Sequence, residues 1–174
     1  MTDHHRDHIT CHVLNTHNGT PGANLPCYLT IHSITSNRGK LDISNETIFD
    51  ANALPLRFAA TTNQDGRVSS WSALPSSSSD ENGQGRGQGT SFRSFSEYIS
   101  STFTTPEAKE SLRFVVSVKI AGVDEFYRAQ GVESFWPEVE VKFVVKGWEG
   151  AKGWRHYHVP VLLGPWSYST YRGS

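Results

Sequence analysis

Residues 154–174 have the sequence WRHYHVPVLLGPWSYSTYRGS, and this stretch decides the fold class. Its first half alternates with a period of two, which is typical of a β-strand with two different faces. One face contains Tyr157, Val159, Val161 and Leu163, and the other contains His156, His158 and Pro160. Gly164 and Pro165 interrupt the alternation, which resumes over residues 166–171. The stretch therefore predicts a β-hairpin at the end of the chain.

Five other stretches alternate in the same way and are predicted to be strands: residues 9–14, 25–34, 56–62, 112–120 and 138–145. Turn signals separate them, notably Asn18-Gly19 and Asn63-Gln64-Asp65-Gly66. One short helix is predicted over residues 125–130, capped by Asp124 and terminated by Gly131. Many short strands with one short helix predict an all-β sandwich.

Length and composition narrow the functional classes. A chain of 174 residues with 11% aromatic and 19% charged residues is expected to form one domain with its own core. A net charge of −1 gives no electrostatic reason to bind nucleic acid or an anionic membrane. The polar start is unlike a secretory signal, so Cys11 and Cys27 are expected to be free, buried thiols. We expect a cytoplasmic protein, with the peroxisome as the alternative.

Three regions are expected to lie outside the sandwich. Residues 1–7 form a predicted disordered tail, in which His4 and His5, together with His8, are either solvated or bind a metal adventitiously. Residues 8–174 form the predicted domain, which carries a low-complexity inserted loop at about residues 75–105. The spacing of Phe95, Tyr98, Ile99 and Phe103 favours a short amphipathic helix near the end of that insertion. Residues 36–55 have no clean period and are expected to be an extended polar connection.

Four motifs carry a family resemblance. His-Tyr-His-Val-Pro at residues 156–160 is followed by Tyr-Ser-Thr-Tyr-Arg-Gly-Ser at residues 168–174. Upstream lie His-Val-Leu-Asn-Thr with Gly-Thr-Pro-Gly-Ala at residues 12–23, Thr-Asn-Gln-Asp-Gly-Arg-Val at residues 62–68, and Glu-Ser-Phe-Trp-Pro-Glu-Val at residues 133–139. In this order the motifs resemble the 5-hydroxyisourate hydrolases, the enzyme branch of the transthyretin-like family.

The resemblance implies a fold, an assembly and a reaction. It implies the transthyretin-like (prealbumin-like) sandwich of two antiparallel sheets. It further implies a homotetramer, a dimer of dimers with a central channel. It also implies hydrolysis of 5-hydroxyisourate to 2-oxo-4-hydroxy-4-carboxy-5-ureidoimidazoline in urate degradation. The implied partners are this small-molecule substrate and further copies of the chain, and no cofactor is implied.

The same resemblance implies the site residues. His12 and His158 would orient and deprotonate water, with the identity of the base left open, and Arg67 would hold the urate-like ring or its oxyanion. Tyr171, Arg172 and Ser174 would close the pocket and fix the substrate. Residues 172–174 extend beyond the predicted strand, so their contacts are expected across the channel between dimers. Independently of the resemblance, the strand periodicity places His12 and His158 opposite their own apolar rows.

Three other interpretations remain open on the sequence. A transthyretin-type carrier would bind a small ligand in the same channel without catalysis, although the histidines and Arg67 make that channel polar. A structural or interaction module would use the Ser/Gly-rich loop as its binding element. His156 and His158 share a strand face and could ligate zinc, but no Glu, Asp or Cys stands at a convincing spacing for a third ligand.

Overall fold

The computed structural model describes residues 7–36, 55–74, 92–105, 110, 112–147 and 155–173. Three parts of the sequence therefore lie outside the described residues: most of the predicted polar connection, the Ser/Gly-rich residues 75–91, and Ser174. His4 and His5 of the predicted tail also lie outside them.

Nine strands and two helices make up the described part of the chain. The strands are β1 (Ile9–Asn15), β2 (Pro26–Ser36), β3 (Leu56–Thr61), β4 (Arg67–Val68), β5 (Ser72–Ala73), β6 (Leu112–Ile120), β7 (Val139–Lys146), β8 (Tyr157–Leu163) and β9 (Tyr168–Thr170). The helices are α1 (Phe95–Thr102) and α2 (Val123–Arg128). In these residues no helix is long and apolar enough to cross a membrane.

The strands form two sheets, which confirms the predicted transthyretin-like sandwich. One sheet has the order β4-β1-β8-β9 and the other has the order β5-β3-β2-β6-β7. The prediction of purely antiparallel sheets was wrong for one pair, because β1 and β8 run parallel from Ile9↔Tyr157 to Asn15↔Leu163. Parallel neighbours need a long crossover, and the whole of the second sheet lies between these two strands in the chain.

The core lies between the two sheets. Cys11, Val13 and Val161 face inward from the four-stranded sheet, and Leu29 and Val116 belong to the facing set of the other sheet; all five are fully buried. Burying each aliphatic side chain stabilises the fold by about 1.5–3 kcal/mol. Both cysteines are free and buried, as predicted. Burial, with a smaller contribution from Cys27, raises the pKa of Cys11, and burial raises the pKa of Cys27 to about 12, so neither thiol ionises near neutral pH.

Helix α2 differs from its prediction at its start. Its N-cap is Gly122 in the left-handed region at φ 66°, and Asp124 lies inside the first turn. The predicted Asp124 cap was therefore wrong, because the carboxylate binds the Arg128 guanidinium at 2.9 Å, one turn further along. Gly131 has a φ of 74°, which fits its predicted role in ending the helical segment.

Helix α1 shows that the end of the predicted insertion is part of the core. Phe95, Tyr98 and Ile99 are buried, and the Phe95 ring packs against Phe58 with centroids 5.4 Å apart. The side chain of Ser94 caps the helix by accepting the Glu97 N–H at 3.2 Å. The amphipathic helix that the apolar spacing favoured is therefore confirmed, although the predicted sandwich was given one short helix and has two in the described residues.

Asp7 packs into the domain through its carboxylate. Its carboxylate accepts the backbone N–H of Trp71 at 2.7 Å and the hydroxyl of Ser96. The residue is buried, so it does not belong to the predicted disordered tail. The polar contact ties the start of the chain to α1, which a pattern of apolar periodicity does not reveal.

Candidate active site

The outer face of the four-stranded sheet brings His12 and His158 together. In the parallel pairing of β1 with β8, Thr10 lies beside His158, and His12 follows two residues later on the same face of β1. The His12 and His158 rings have centroids 6.2 Å apart and are tilted by 40°. The strand alternation had placed both histidines opposite the apolar rows, and the structure shows that these two outer faces are adjacent.

His12 is held as a neutral ring with a defined tautomer. Its Nε2 lies 3.0 Å from the backbone oxygen of Asp65. A carbonyl oxygen only accepts, so Nε2 carries the proton and Nδ1 of the neutral ring has the free electron pair. Burial, and then the nearby Arg67 cation, lower the pKa of His12 below its usual value. His12 is therefore ready to accept a proton near neutral pH.

The turn of residues 63–66 places Arg67 opposite His12. The Asn63 side-chain oxygen accepts the N–H groups of Asp65 at 3.0 Å and Arg67 at 2.8 Å. Gly66 has a φ of 74°, and a Cβ there would collide with the carbonyl oxygen of Val13. The turn leads directly into β4, where Arg67 pairs with His12 in antiparallel register. Arg67 thus supplies an exposed cation beside His12.

His158 and His156 share a hydroxyl that the sequence did not single out. Thr10 Oγ1 lies 2.8 Å from His158 Nδ1 and 2.9 Å from His156 Nε2. The only sequence signal for Thr10 was its place in β1, two residues before His12 and on the same face. A threonine in a strand is ordinary, so nothing marked it as part of the site.

The end of the chain folds back onto His158. The Gly173 N–H donates to the His158 carbonyl oxygen at 2.8 Å, and the two residues form an isolated β-bridge. The Arg172 guanidinium carbon lies 4.7 Å from the centre of the Tyr157 ring, a cation–π contact. The expectation that residues 172–174 have no strand partner within their own chain was therefore wrong for Gly173.

The predicted substrate-binding residues differ in their placement. Tyr171 is exposed, Arg172 contacts Tyr157, and Ser174 lies outside the described residues. A groove of about 880 Å³ lies elsewhere, between the turn after β1 and α2, and its lining includes Thr20, Asn24 and Phe126 but none of the site residues. We place the site at the histidines, because this groove lacks a comparable set of titratable groups.

The gathered residues are suited to hydrolysis. A neutral imidazole can take a proton from water as water attacks a carbonyl carbon, and a guanidinium can stabilise the oxyanion that develops. Within the described ranges, no group of three or more His, Cys, Asp or Glu side chains is arranged to hold a metal ion. The face is open in one protomer, because Arg67 is exposed and both histidine side chains are only partly buried.

A sequence model of the HIUase/Transthyretin family matches residues 9–173, which include His12, Arg67 and His158. The chain belongs to the HIUase/Transthyretin family. The matched residues include all nine strands of the two sheets and the two histidines on the outer face. The match also spans Gly173 at the end of the described chain.

Named relatives of this HIUase/Transthyretin member are hydrolases. A probable 5-hydroxyisourate hydrolase of Caenorhabditis elegans is 51% identical over 51 residues, which are 29% of this chain and 34% of the relative. The 5-hydroxyisourate hydrolase of Mus musculus is 47% identical over 51 residues, which are 29% of this chain and 39% of the relative. These matches therefore span well under half the length of either relative. A probable 5-hydroxyisourate hydrolase of Schizosaccharomyces pombe is 29% identical over 171 residues, 95% of this chain and 90% of the relative.

A solved structure agrees with the fold. The crystal structure of (S)-allantoin synthase superposes with a TM-score of 0.53 at 22% identity and covers 95% of this chain and 43% of that chain. At this identity the likeness supports the two-sheet architecture alone.

Proposed function

We propose that this protein is a hydrolase that opens the six-membered ring of 5-hydroxyisourate to give 2-oxo-4-hydroxy-4-carboxy-5-ureidoimidazoline. The observation that carries the proposal is the convergence of His12, Arg67 and His158 on one outer sheet face, with the two rings 6.2 Å apart. The relatives named as 5-hydroxyisourate hydrolases support the choice of substrate.

The reaction needs a base, an electrostatic stabiliser and a proton donor. A histidine removes a proton as water attacks the carbonyl carbon of the ring amide, and the carbonyl oxygen becomes an oxyanion beside Arg67. The C–N bond then breaks, the leaving nitrogen takes up a proton and a carboxylate remains. Both His12 and His158 are imidazoles on this face that could make these proton transfers. The lowered pKa of His12 keeps its ring neutral before the attack, so that it can accept a proton.

The C-terminal residues complete the pocket in this proposal. Gly173 lies against the His158 ring, which brings the adjacent Arg172 close to the site along the chain. Tyr171 is exposed on the segment that follows β9 and is available to contact substrate or a neighbouring protomer. Ser174 would provide a hydroxyl and the terminal carboxylate, both able to bind the polar ring.

We further propose that the protein is a homotetramer, a dimer of dimers that encloses the open site. Strands β7 and β9 are the outer strands of their sheets, and exposed edge strands are available for pairing with another chain. Large exposed aromatic residues cluster near β9: Phe135, Trp166, Tyr168 and Tyr171. Sedimentation equilibrium tests this assembly, because a fully active monomer would contradict it.

We also propose a cytoplasmic location, with the peroxisome as the alternative. Two free, buried cysteines fit a reducing compartment. Microscopy of the full chain with an internal tag in residues 75–91 distinguishes the two compartments.

Turnover of freshly made 5-hydroxyisourate tests the proposed reaction. The protein should consume many equivalents of substrate per protomer, and the rate should rise in proportion to its concentration. A transthyretin-type carrier would bind ligand stoichiometrically without turnover, as would an interaction module. The polar face formed by His12, Arg67 and His158 favours catalysis over storage of an apolar ligand.

A further inference from the structure

Thr10 lies between His158 of β8 and His156, the residue that directly precedes β8. Its Oγ1 contacts His158 Nδ1 at 2.8 Å and His156 Nε2 at 2.9 Å. Thr10 is only 6% exposed, so bulk water competes little for this hydroxyl. The parallel register sets Thr10 directly beside His158, which fixes the oxygen against the ring through the backbone of two paired strands.

The hydrogen-bonding capacity of the Thr10 hydroxyl couples the tautomers of the two imidazole rings. A hydroxyl has one proton to donate and two lone pairs with which it accepts. Thr10 can therefore donate to only one of the two imidazoles. If the Thr10 hydroxyl donates to one imidazole, the other imidazole must donate its own N–H to Thr10 Oγ1. Two unprotonated ring nitrogens could not both accept the single hydroxyl proton. The tautomers of neutral His156 and His158 are thus set together.

We propose that Thr10 is a positioning residue that sets the tautomer of His158 and links that ring to His156 as a proton relay. The relay rests on the proposed hydrolytic function of the site. In the starting arrangement, His158 donates Nδ1–H to Thr10 Oγ1, and the Thr10 hydroxyl donates to His156 Nε2. His158 Nε2 is then unprotonated and can act as the base.

The proton transfers balance along this path. Attacking water gives a proton to His158 Nε2, His158 Nδ1 passes its proton to Thr10 Oγ1, and the Thr10 hydroxyl proton moves to His156 Nε2. His158 is neutral again, Thr10 remains a hydroxyl, and His156 has become the cation. The reverse path returns the proton through His158 Nε2 to the leaving ring nitrogen, so the relay ends as it began.

The relay assigns a role to His156. The family resemblance had implied no catalytic role for this residue. His156 stores the proton between the attack and the departure of the leaving group. It directly precedes β8, and the Thr10 hydroxyl lies between its Nε2 and His158 Nδ1. His158 would therefore contact the reacting atoms, whereas Thr10 and His156 act through it.

Substitution of Thr10 tests the relay in the full chain. Thr10→Val keeps the branched shape and removes the hydroxyl, whereas Thr10→Ser keeps the hydroxyl and removes a methyl group. The first readout is the ¹⁵N chemical shifts of the histidine ring nitrogens, which report tautomers without substrate. We expect Thr10→Val to shift both His156 and His158, and Thr10→Ser to leave both near their wild-type values. Thr30→Val, a half-buried threonine of the other sheet, is the matched control.

The second readout is steady-state kinetics over a range of pH. Thr10→Val should lower kcat at least about tenfold, with KM changed by less than about threefold, and should alter the pH profile. Thr10→Ser should stay within about threefold of wild type. Thr10→Val combined with His156→Ala should lower kcat no further than either change alone, because both interrupt one path.

Two results would overturn the relay. The first is that Thr10→Val leaves the ring-nitrogen chemical shifts of His156 and His158 unchanged. The second is that Thr10→Ser lowers kcat as much as Thr10→Val does. If Thr10→Val does not fold, Thr10→Ala carries the same comparison. If Thr10→Val shifts both rings but the wild-type protein does not turn over 5-hydroxyisourate, the linked tautomers would be supported. The proposed hydrolytic function would then be contradicted instead.

Discussion

Gly173 lies directly against His158. Its N–H donates to the His158 carbonyl oxygen at 2.8 Å, and a Cβ on Gly173 would come within 2.8 Å of the ring carbon Cδ2. A hydrogen atom is therefore the largest side chain that fits without moving the imidazole or the chain end. This contact places the C-terminal segment and the histidine in one structural unit.

Gly173→Ala is expected to displace the His158 ring or the chain end. Activity should fall at least about tenfold, because small misplacements of catalytic groups are costly. The melting temperature should change by less than about 2 °C, since the contact lies outside the core. Ser169→Ala, on the exposed strand β9, is the control and should keep its activity. A fully active Gly173→Ala would mean that the contact does not shape the site.

Arg67 is expected to stabilise the oxyanion. Arg67→Gln should lower kcat/KM by about a hundredfold, equivalent to about 3 kcal/mol of transition-state stabilisation. Arg67→Lys should recover part of this loss, because it keeps the charge but not the planar fork of donors. The exposed Arg128 on α2 provides the control Arg128→Gln. Equal rates for Arg67→Gln and the control would exclude a role for Arg67.

The two parts of the predicted insertion should respond differently to change. Phe95 is fully buried, so Phe95→Ala should lower the free energy of unfolding by about 3–5 kcal/mol. Residues 75–90 should be replaceable by a short linker with little change in melting temperature or rate. The residues that flank this segment are adjacent in the fold. Ser72 forms a β-bridge with Ser94, and the Ala73 N–H donates to the Arg93 carbonyl oxygen at 3.0 Å. Chemical denaturation of both variants provides the comparison, and a large loss on linker replacement would show that these residues stabilise the fold.

His8 is expected to make the fold sensitive to acid. Burial, and then His156, lower the pKa of His8 to about 3, against about 6.5 in the unfolded chain. Between these values the unfolded state binds more protons, so stability is complete above about pH 6.5 and falls as the pH drops toward 3. The slope from one such group is about 1.4 kcal/mol per pH unit.

Replacing His8 should remove this contribution. The free energy of unfolding of His8→Gln should fall less steeply than that of wild type between pH 6.5 and 4, whatever its absolute stability. His17→Gln, at an exposed histidine, should follow the wild-type slope. Urea denaturation at several pH values measures the slopes, and identical slopes for His8→Gln and wild type would contradict the buried neutral state of His8.

Local periodicity was enough to predict the individual strands. The bounds of β6 match the prediction, and those of β2, β7 and β8 lie within two residues, because apolar side chains recur at alternate positions along each strand. The parallel pairing of β1 with β8 was missed, since the two strands are far apart in the chain and periodicity carries no information on partners. Helix α1 was suggested by its spacing but was counted within a loop.

The site was predictable where residue type itself carried chemistry. The structure brings the predicted residues His12, Arg67 and His158 to one face, and their catalytic roles stay a prediction. Thr10 was missed because its role depends on a register that only the folded sheet shows. The contact of Gly173 with His158 was missed for a similar reason, since a single bridge leaves no pattern in the sequence.

The most direct test of the account is the rate at which His12→Ala and His158→Ala open 5-hydroxyisourate, compared with wild type. His32→Ala is the matched control, because His32 is a partly buried histidine of a strand in the other sheet. We predict that each site variant loses about a hundredfold in rate and keeps its circular dichroism spectrum and melting temperature, while His32→Ala retains its rate. Near-wild-type rates in both His12→Ala and His158→Ala would contradict the central claim that this face is the hydrolytic site.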